Sequence, residues 1–446
     1  MITRIEIDGF KTFKDFAIDL APFQVIVGMN NVGKSNFLDA IRFLSYLTSS
    51  FNLTFEGPKN IEFPFTILPN NTQENEMRFA VEILTSKKVS DTQEEVSLRT
   101  NRFRYDLKLR AGNKYLIITS ESLTSIPYEE DSWARKYNLS SQNGWLVENI
   151  EQAPLNFISS KTEENEVYLT LHKDGSASER TEKSKKKEKL FLGEATTIEF
   201  PHALAVKQEM EHWITFHLNP LELREYRHSI WMPLPGDFYL INNLFKIYQQ
   251  DKSLIKSVSK DFVNLVSGIS AILIQPDVKG EPGVYIQTTD NRLFSSNLLS
   301  DGSLRMLAIA TLANDPAFEG LLAIEEPENN VHPAILGKLA KLLKGMATDF
   351  NDPEQKDFPL RQVFVTTHSP VFMSQPEVID ALLYTSMVTH IEGKNASPIR
   401  VTRMNPVKPR NQLTEGEEKM GYYTLNQIEQ YLSHKSFDEA LAQLKV

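Results

Sequence analysis

The stretch FQVIVGMNNVGKSNFLDAIRFL, residues 23–44, changes its hydrophobic rhythm part-way along. Val25, Ile26 and Val27 are continuous and β-branched, as in a strand buried on both faces, whereas Phe37, Leu38, Ile41 and Leu44 recur at helical spacing. Between the two lie Gly28, four residues, then Gly33, Lys34 and Ser35. That is the pattern of a loop whose backbone N–H groups, together with a helix N-terminus, cradle phosphates. In such a loop the lysine reaches the terminal phosphates and the serine hydroxyl binds Mg²⁺. The candidate nucleotide-binding residues are Gly28, Asn30, Asn31, Val32, Gly33, Lys34, Ser35 and Asn36, with ATP and Mg²⁺ as the implied ligands.

A second stretch gains meaning from the first. LLAIEEPENNVHP, residues 321–333, reads as a buried strand that ends on two adjacent carboxylates. Alone, such a pair is usually a solvated acidic turn. A phosphate-loop nucleotidase, however, needs a second buried strand beside the loop. It ends in a carboxylate that holds Mg²⁺ through water and a base that orients the attacking water. Glu325 is assigned to the Mg²⁺ shell, where the shorter aspartate is more usual, and Glu326 to the general base.

Two further segments refine the class. NLLSDGSLRMLAIATL, residues 297–312, places Ser300, Asp301, Gly302 and Ser303 at the start of an amphipathic helix, again an anion-binding geometry. A chain that already carries its own phosphate loop can use such a turn to cap the nucleotide of another subunit. RQVFVTTHSPVF, residues 361–372, is a strand running into His368, Ser369 and Pro370. Together and in this order, the phosphate loop, LSDGS, EEPENNVHP and TTHSP resemble an ABC-type ATPase. More narrowly they resemble the soluble branch that includes the SMC, RecF and overcoming-lysogenization-defect (OLD) ATPases. The resemblance implies a homodimer or larger homo-oligomer sandwiching two ATP molecules. Ser300, Asp301, Gly302 and Ser303 of one copy would then face the phosphate loop of the other in trans. It also implies that His368 contacts the γ-phosphate, beside the catalytic Glu326.

The rest of the chain bounds this picture. With 446 residues, 41% hydrophobic and 24% charged, it is long enough for two or three packed units. The absence of cysteine excludes disulfides and thiolate chemistry and suits a cytoplasmic location. No apolar run is long enough for a signal peptide or a membrane span, so no membrane association is expected. A net charge of -10 gives no global attraction to nucleic acid, although a local basic face can still bind it.

The expected fold is α/β: an ABC-type nucleotide-binding head with an antiparallel β-lobe and an inserted helical and irregular lobe. Residues 1–124 would form the N-terminal half of the head with the β-lobe, 125–266 the insertion, and 267–446 the C-terminal half. The insertion shows no sustained heptads of a coiled-coil arm. RFRYDLKLR, residues 102–110, alternates Phe103, Tyr105, Leu107 and Leu109 against Arg102, Arg104, Lys108 and Arg110. It is a half-buried strand whose basic outer face reads either as solvated surface or as a contact for DNA or a partner. Residues 125–200 look irregular, and the lysine-rich run from Lys183 to Lys189 reads as a loop or hairpin tip, solubilising or phosphate-binding. From about residue 202 the pattern turns helical, as for a small lobe presenting the LSDGS turn. His202, His212 and His217 lack the i, i+4 spacing of a helical metal pair and read as structural.

OLD-type enzymes append a Toprim nuclease domain. Here HIEGKN, residues 390–395, only superficially resembles its opening, and MVTHIEGKNASPIRVTRM fits a hairpin with its turn at Gly393–Ala396. No nuclease of the chain's own is therefore expected, and relatives of this form are often encoded beside a nuclease-like or toxin partner in bacterial anti-phage systems. Three functions remain open. The first is an ATP-driven sensor and scaffold controlling a co-encoded effector. The second is a RecF- or SMC-like DNA-maintenance ATPase, and the third a nucleotide-gated assembly protein with little turnover.

Overall fold

The computed structural model describes residues 1–49, 76–92, 94–111, 116–147, 155–164, 166–172, 179–184, 189–226, 238–276, 282–391, 398–408, 423, 424 and 428. Along the chain come β1 (Ile2–Asp8), β2 (Phe16–Asp19), β3 (Phe23–Val27), α1 (Lys34–Thr48) and β4 (Glu76–Leu84). They are followed by β5 (Lys88–Ser90), β6 (Glu95–Ser97), β7 (Arg102–Ala111), β8 (Leu116–Ser125) and α2 (Ser132–Lys136). Next are β9 (Asn156–Glu163), β10 (Glu166–His172), β11 (Glu179–Lys183), α3 (Pro201–Glu211), β12 (Trp213–Phe216) and α4 (Pro220–Leu223). Then come α5 (Leu240–Gln250), α6 (Lys252–Leu265), β13 (Ile269–Pro276), β14 (Pro282–Thr288), β15 (Leu293–Ser295) and α7 (Asp301–Ala313). The last part holds β16 (Gly320–Glu325), α8 (Leu336–Met346), β17 (Arg361–Thr367), α9 (Pro370–Met373) and α10 (Pro376–Ile379). It closes with β18 (Leu382–His390), β19 (Ile399–Lys408) and β20 (Tyr423–Thr424).

Two large sheets organise these elements. One is eight-stranded, in the order β11-β10-β9-β8-β7-β4-β1-β2; the other is seven-stranded, in the order β12-β16-β17-β3-β18-β19-β20. In the second, β12, β16, β17, β3 and β18 all run parallel. Its central strands are buried on both faces, and their side chains alternate between two cores. Val25, Val27, Leu322, Ile324, Val363 and Val365 enter the core shared with α5, α6, α7 and α8. Ile26, Leu321, Ala323 and Phe364 point the other way, into the core built by α1, α3 and the eight-stranded sheet. Helix α1 is thus sandwiched between layers, which is why Phe37, Leu38, Ile41 and Leu44 are all buried. Helices α5, α6 and α7 pack with the small sheet β13-β14-β15 into the lobe that carries the LSDGS turn. Among the described residues no helix is long and apolar enough to cross a membrane.

Several expectations need correcting. The eight-stranded sheet crosses residue 124 and continues through β9, β10 and β11, so the segment read as irregular supplies three strands of the β-lobe. Alternating polar and apolar positions such as Leu169 and Leu171 carried that signal. Lys185–Glu188, the centre of the lysine run, and the expected turn at Gly393–Ala396 lie outside the described residues. The flanking strands β18 and β19 do pair as an antiparallel hairpin.

The outer face of β7 is mixed in charge rather than uniformly basic. Acids stand beside two of its outer cations: Arg104 pairs with Glu6, Glu82 and Asp106, and Arg110 with Glu76, whereas Lys108 faces Arg78 and Ser120. Arg102 is buried and forks onto Asp131, with Nε–Oδ2 at 2.5 Å and Nη2–Oδ1 at 3.0 Å. The strand's outer face is therefore a mixed ion-pair network. Burial takes Arg102 out of reach of any ligand, while Arg110 and its partner Glu76 stay exposed.

Candidate active site

Because β3, β12, β16 and β17 are parallel, their C-terminal ends open on one sheet edge, where ligands of open α/β sheets bind. Gly28 follows β3, Glu325 closes β16, His368 follows β17 and His217 follows β12. The registers Phe216↔Ile324, Glu325↔Thr366 and Thr367↔Val27 bring all four exits to one level. The acid strand is not the immediate neighbour of the loop strand, because β17 lies between them. The longer reach is bridged all the same: Ser35 Oγ donates to Glu325 Oε2 at 3.2 Å.

The phosphate loop is shaped from outside. Gly33 has φ +104, and a Cβ there would lie 2.1 Å from Thr402 Oγ1, so only glycine fits. A Cβ on Gly28 would lie 2.5 Å from the Thr385 carbonyl oxygen. Thr402 Oγ1 donates to Val32 O at 3.0 Å and lies 2.6 Å from Thr12 Oγ1, which in turn accepts from Asn36 Nδ2 at 2.9 Å. The β18–β19 hairpin and Thr12 therefore form the floor of the loop, and Asn36 braces that floor. Asn31 takes a left-handed backbone, φ 62. Helix α1 starts with its first N–H groups uncapped by any side chain, as an anion site requires. Lys34 is buried, and its ammonium donates to Gly28 O at 2.7 Å and Met29 O at 2.8 Å. Burial pulls its pKa below the ordinary lysine value, while Glu326, Glu325 and Glu328 oppose that shift.

Glu326 is held at both carboxylate oxygens. His368 Nδ1 lies 3.1 Å from Oε1, and Asn329 Nδ2 donates to Oε2 at 2.6 Å. Its backbone is left-handed, φ 47, with its N–H donating to Thr366 O at 3.0 Å. The side chain remains one-third exposed, open to an incoming water. A third acid, Glu328, was not singled out from sequence. It is buried, accepts a short hydrogen bond from Thr367 Oγ1, and its Oε2 has no partner. Burial raises its pKa. Thr367 Oγ1 also accepts from Ser369 N at 3.0 Å, so Glu328 fixes the turn that carries His368.

His217 was read as structural, yet its Nε2 stands 3.6 Å from Glu325 Oε1. His202 does play a structural part, accepting from Arg99 N and stacking on Phe157, and His212 meets Glu319 at 3.3 Å. His332 Nδ1 accepts from Ala334 N, capping the short turn that leads into α8.

The LSDGS turn begins α7. Ser300 Oγ accepts from Ser303 N at 3.2 Å and donates to Ser303 Oγ at 2.9 Å. Arg224 clamps the turn, donating to Asp301 Oδ1, Leu299 O and Asn297 O within 2.8–3.2 Å. Gly302 abuts the acid turn, since a Cβ there would lie 2.1 Å from Asn330 O. Among the described residues no hydrogen bond joins residues 300–303 to residues 28–36 of the same chain.

The donor set fits a Mg²⁺-nucleotide. A hydroxyl and a carboxylate converge as hard oxygen donors, beside an uncapped helix N-terminus, a loop cleared of Cβ atoms and an orphaned buried carboxylate oxygen. Fold and site together define an ABC-type ATPase head. Residues 23–374, well over half of the chain, match the family described as "AAA domain, putative AbiEii toxin, Type IV TA system". The chain belongs to that family. No curated protein matches it. Among solved structures it is similar to the SMC head domain from Thermotoga maritima, at 14% identity, covering 91% of this chain and 99% of that one with a TM-score of 0.40. It is also similar to an SMC head bound to the C-winged helix domain of ScpA, at 12% identity, 94% and 99% coverage and a TM-score of 0.47. An SMC head with an extended coiled coil, bound to the C-terminal domain of ScpA derived from Pyrococcus furiosus, matches at 12% identity, 90% and 95% coverage and a TM-score of 0.46. At these scores the likeness adds nothing to the fold assignment, which rests on strand order and the family match.

Proposed function

We propose that this protein is an ATP-hydrolysing switch that works as two or more copies and controls a separate effector, a nuclease or toxin, in bacterial anti-phage defence. The observation that carries the hydrolytic part is Glu326, oriented at both oxygens by His368 and Asn329 at the same sheet edge as Lys34 and Ser35. Ser35 and Glu325 would hold Mg²⁺, which when bound offsets the charge of the phosphates. Lys34 exchanges its two loop carbonyls for phosphate oxygens. Glu326 accepts a proton from the attacking water, and His368 sits where the γ-phosphate end of the nucleotide meets the base. Ser300 to Ser303 of a second copy would close the site. The family description names a putative toxin of a Type IV TA system, which supports a place in such a system, while control of a separate effector follows from the resemblance alone. Glu326→Gln keeps shape but accepts no proton. It should bind ATP normally, lose turnover by roughly a hundredfold or more, and accumulate a closed dimer. Undiminished phosphate release would place the base elsewhere, and a wild-type protein without turnover would favour the nucleotide-gated assembly reading.

One surface favours the DNA-maintenance reading. Lys252, Lys256 and Lys260 recur every four residues along α6, and Lys338, Lys341 and Lys344 lie exposed on α8. Lys338 Nζ reaches Asn264 O at 2.9 Å, joining the two rows. Among the described residues no ion pair is seen on these six, although Lys252 lies over the Tyr248 ring, and the rows offer positive charge to a polyanion. Steeply salt-dependent duplex binding, lost on reversing Lys256 and Lys260, separates this reading from the effector-control one.

A further inference from the structure

We propose that Arg305 is a positioning residue for the base, through which the LSDGS helix of a chain sets the geometry of that chain's own Glu326. Arg305 lies one turn into α7. Its Nε donates to Leu218 O at 3.0 Å and its Nη1 to Asn329 O at 3.1 Å. These carbonyls belong to the exits of two neighbouring parallel strands, β12 and β16. The guanidinium fork therefore staples together the turn that carries His217 beside Glu325 and the turn that carries Glu326. The residue held directly, Asn329, is the one whose amide donates to Glu326 Oε2.

Two observations show why the acid turn needs a hold from outside. Glu326 and Asn330 both have left-handed backbones, φ 47 and φ 63, which non-glycine residues keep only when their surroundings enforce them. The second anchor comes from the same helix: Gly302 presses its backbone against Asn330 O, leaving no room for a Cβ. One helix thus touches the turn at Asn329 through a charged fork and at Asn330 through close packing. A shift of α7, such as a ligand at its N-terminus would impose, is transmitted to Glu326 with no flexible linker between. Lysine cannot replace this residue, because a single ammonium does not reproduce a planar fork spanning two fixed carbonyls.

The inference rests on Glu326 being the base, and the experiment separates the two. Single-turnover phosphate release and ATP affinity are measured for wild type, Arg305→Ala, Glu326→Gln and the double variant. Arg305→Ala should slow hydrolysis about tenfold or more with ATP affinity within about twofold, and the double variant should be no slower than Glu326→Gln. Asn329→Ala, which removes only the amide that holds Glu326, should reproduce the Arg305→Ala pattern and covers the case in which Arg305→Ala fails to fold. An equal slowing by Arg305→Ala in both backgrounds overturns the inference and leaves the base assignment standing, as does wild-type turnover by Asn329→Ala. Unimpaired Glu326→Gln overturns the base assignment and this inference with it.

Discussion

At the scale of single residues, Gly33 shows how far the site depends on distant sequence. Alanine there meets two separate penalties: a left-handed backbone, about 1–2 kcal/mol, and a collision with Thr402 Oγ1. Gly33→Ala should therefore lose most ATP affinity by calorimetry, and adding Thr402→Ala should recover part of it by removing the hydroxyl and methyl but not the strain. No recovery in the double variant would remove Thr402 from the loop floor. The contrast with the motif residues explains what was legible. Gly28, Gly33, Lys34, Ser35, Glu325, Glu326 and His368 lie in short segments whose residue types are narrowly tied to phosphate and metal chemistry, and the fold brings them to one edge. Thr12, His217, Arg224, Thr385 and Thr402 are ordinary residue types on other segments, and Arg305 lies in the LSDGS segment but outside its turn. Their partners, backbone groups or side chains such as Glu325, Asn36 and Asp301, lie elsewhere in the sequence, and no local pattern encodes such a pairing.

At the scale of elements, the alternation in residues 102–110 correctly indicates a half-buried strand, with Phe103, Tyr105, Leu107 and Leu109 all fully buried. It fails to report the charge of the outer face, because that depends on register: Glu82 is placed by β4, which pairs with it, and Glu6 by β1, one strand further on. The same strand positions Tyr105 against Glu121 of β8, a fully buried carboxylate that also accepts from the N–H groups of Phe191 and Leu192. Burial pushes the Glu121 pKa up to about 7, against the hydrogen bonds that lower it. The folded protein therefore holds this proton more tightly than the unfolded chain. The resulting stability is fully present below the ordinary carboxylate pKa, declines as pH rises towards about 7, and amounts to roughly 3 kcal/mol over that window. Denaturant titrations of wild type and Glu121→Gln at intervals from pH 4 to 8 should show a stability difference that changes across this window and is flat above it. A constant difference would mean that Glu121 ionises normally in the fold.

At the scale of the whole molecule, the uncapped N-terminus of α1 and the Ser300-capped N-terminus of α7 form two half-sites not bonded to each other within one chain. If two copies complete each other, mixing Ser300→Arg with Lys34→Ala should restore ATP hydrolysis, because the heterodimer has one interface combining both defects and one combining neither. No recovery at any mixing ratio would remove the support for closure in trans. The seven-stranded sheet has a further consequence, for protein synthesis. Strand β3 is made early, but it pairs with β17 on one side and β18 on the other, and the loop after it rests on Thr385 and Thr402. A nascent chain on the ribosome holds the phosphate-loop sequence long before it holds the floor beneath it. Loading of nucleotide must therefore wait until translation has passed residue 402 and these long-range pairings have closed. A chain truncated before that point would carry the motif without a shaped cradle, so nucleotide occupancy reports that synthesis has run past the second hairpin strand.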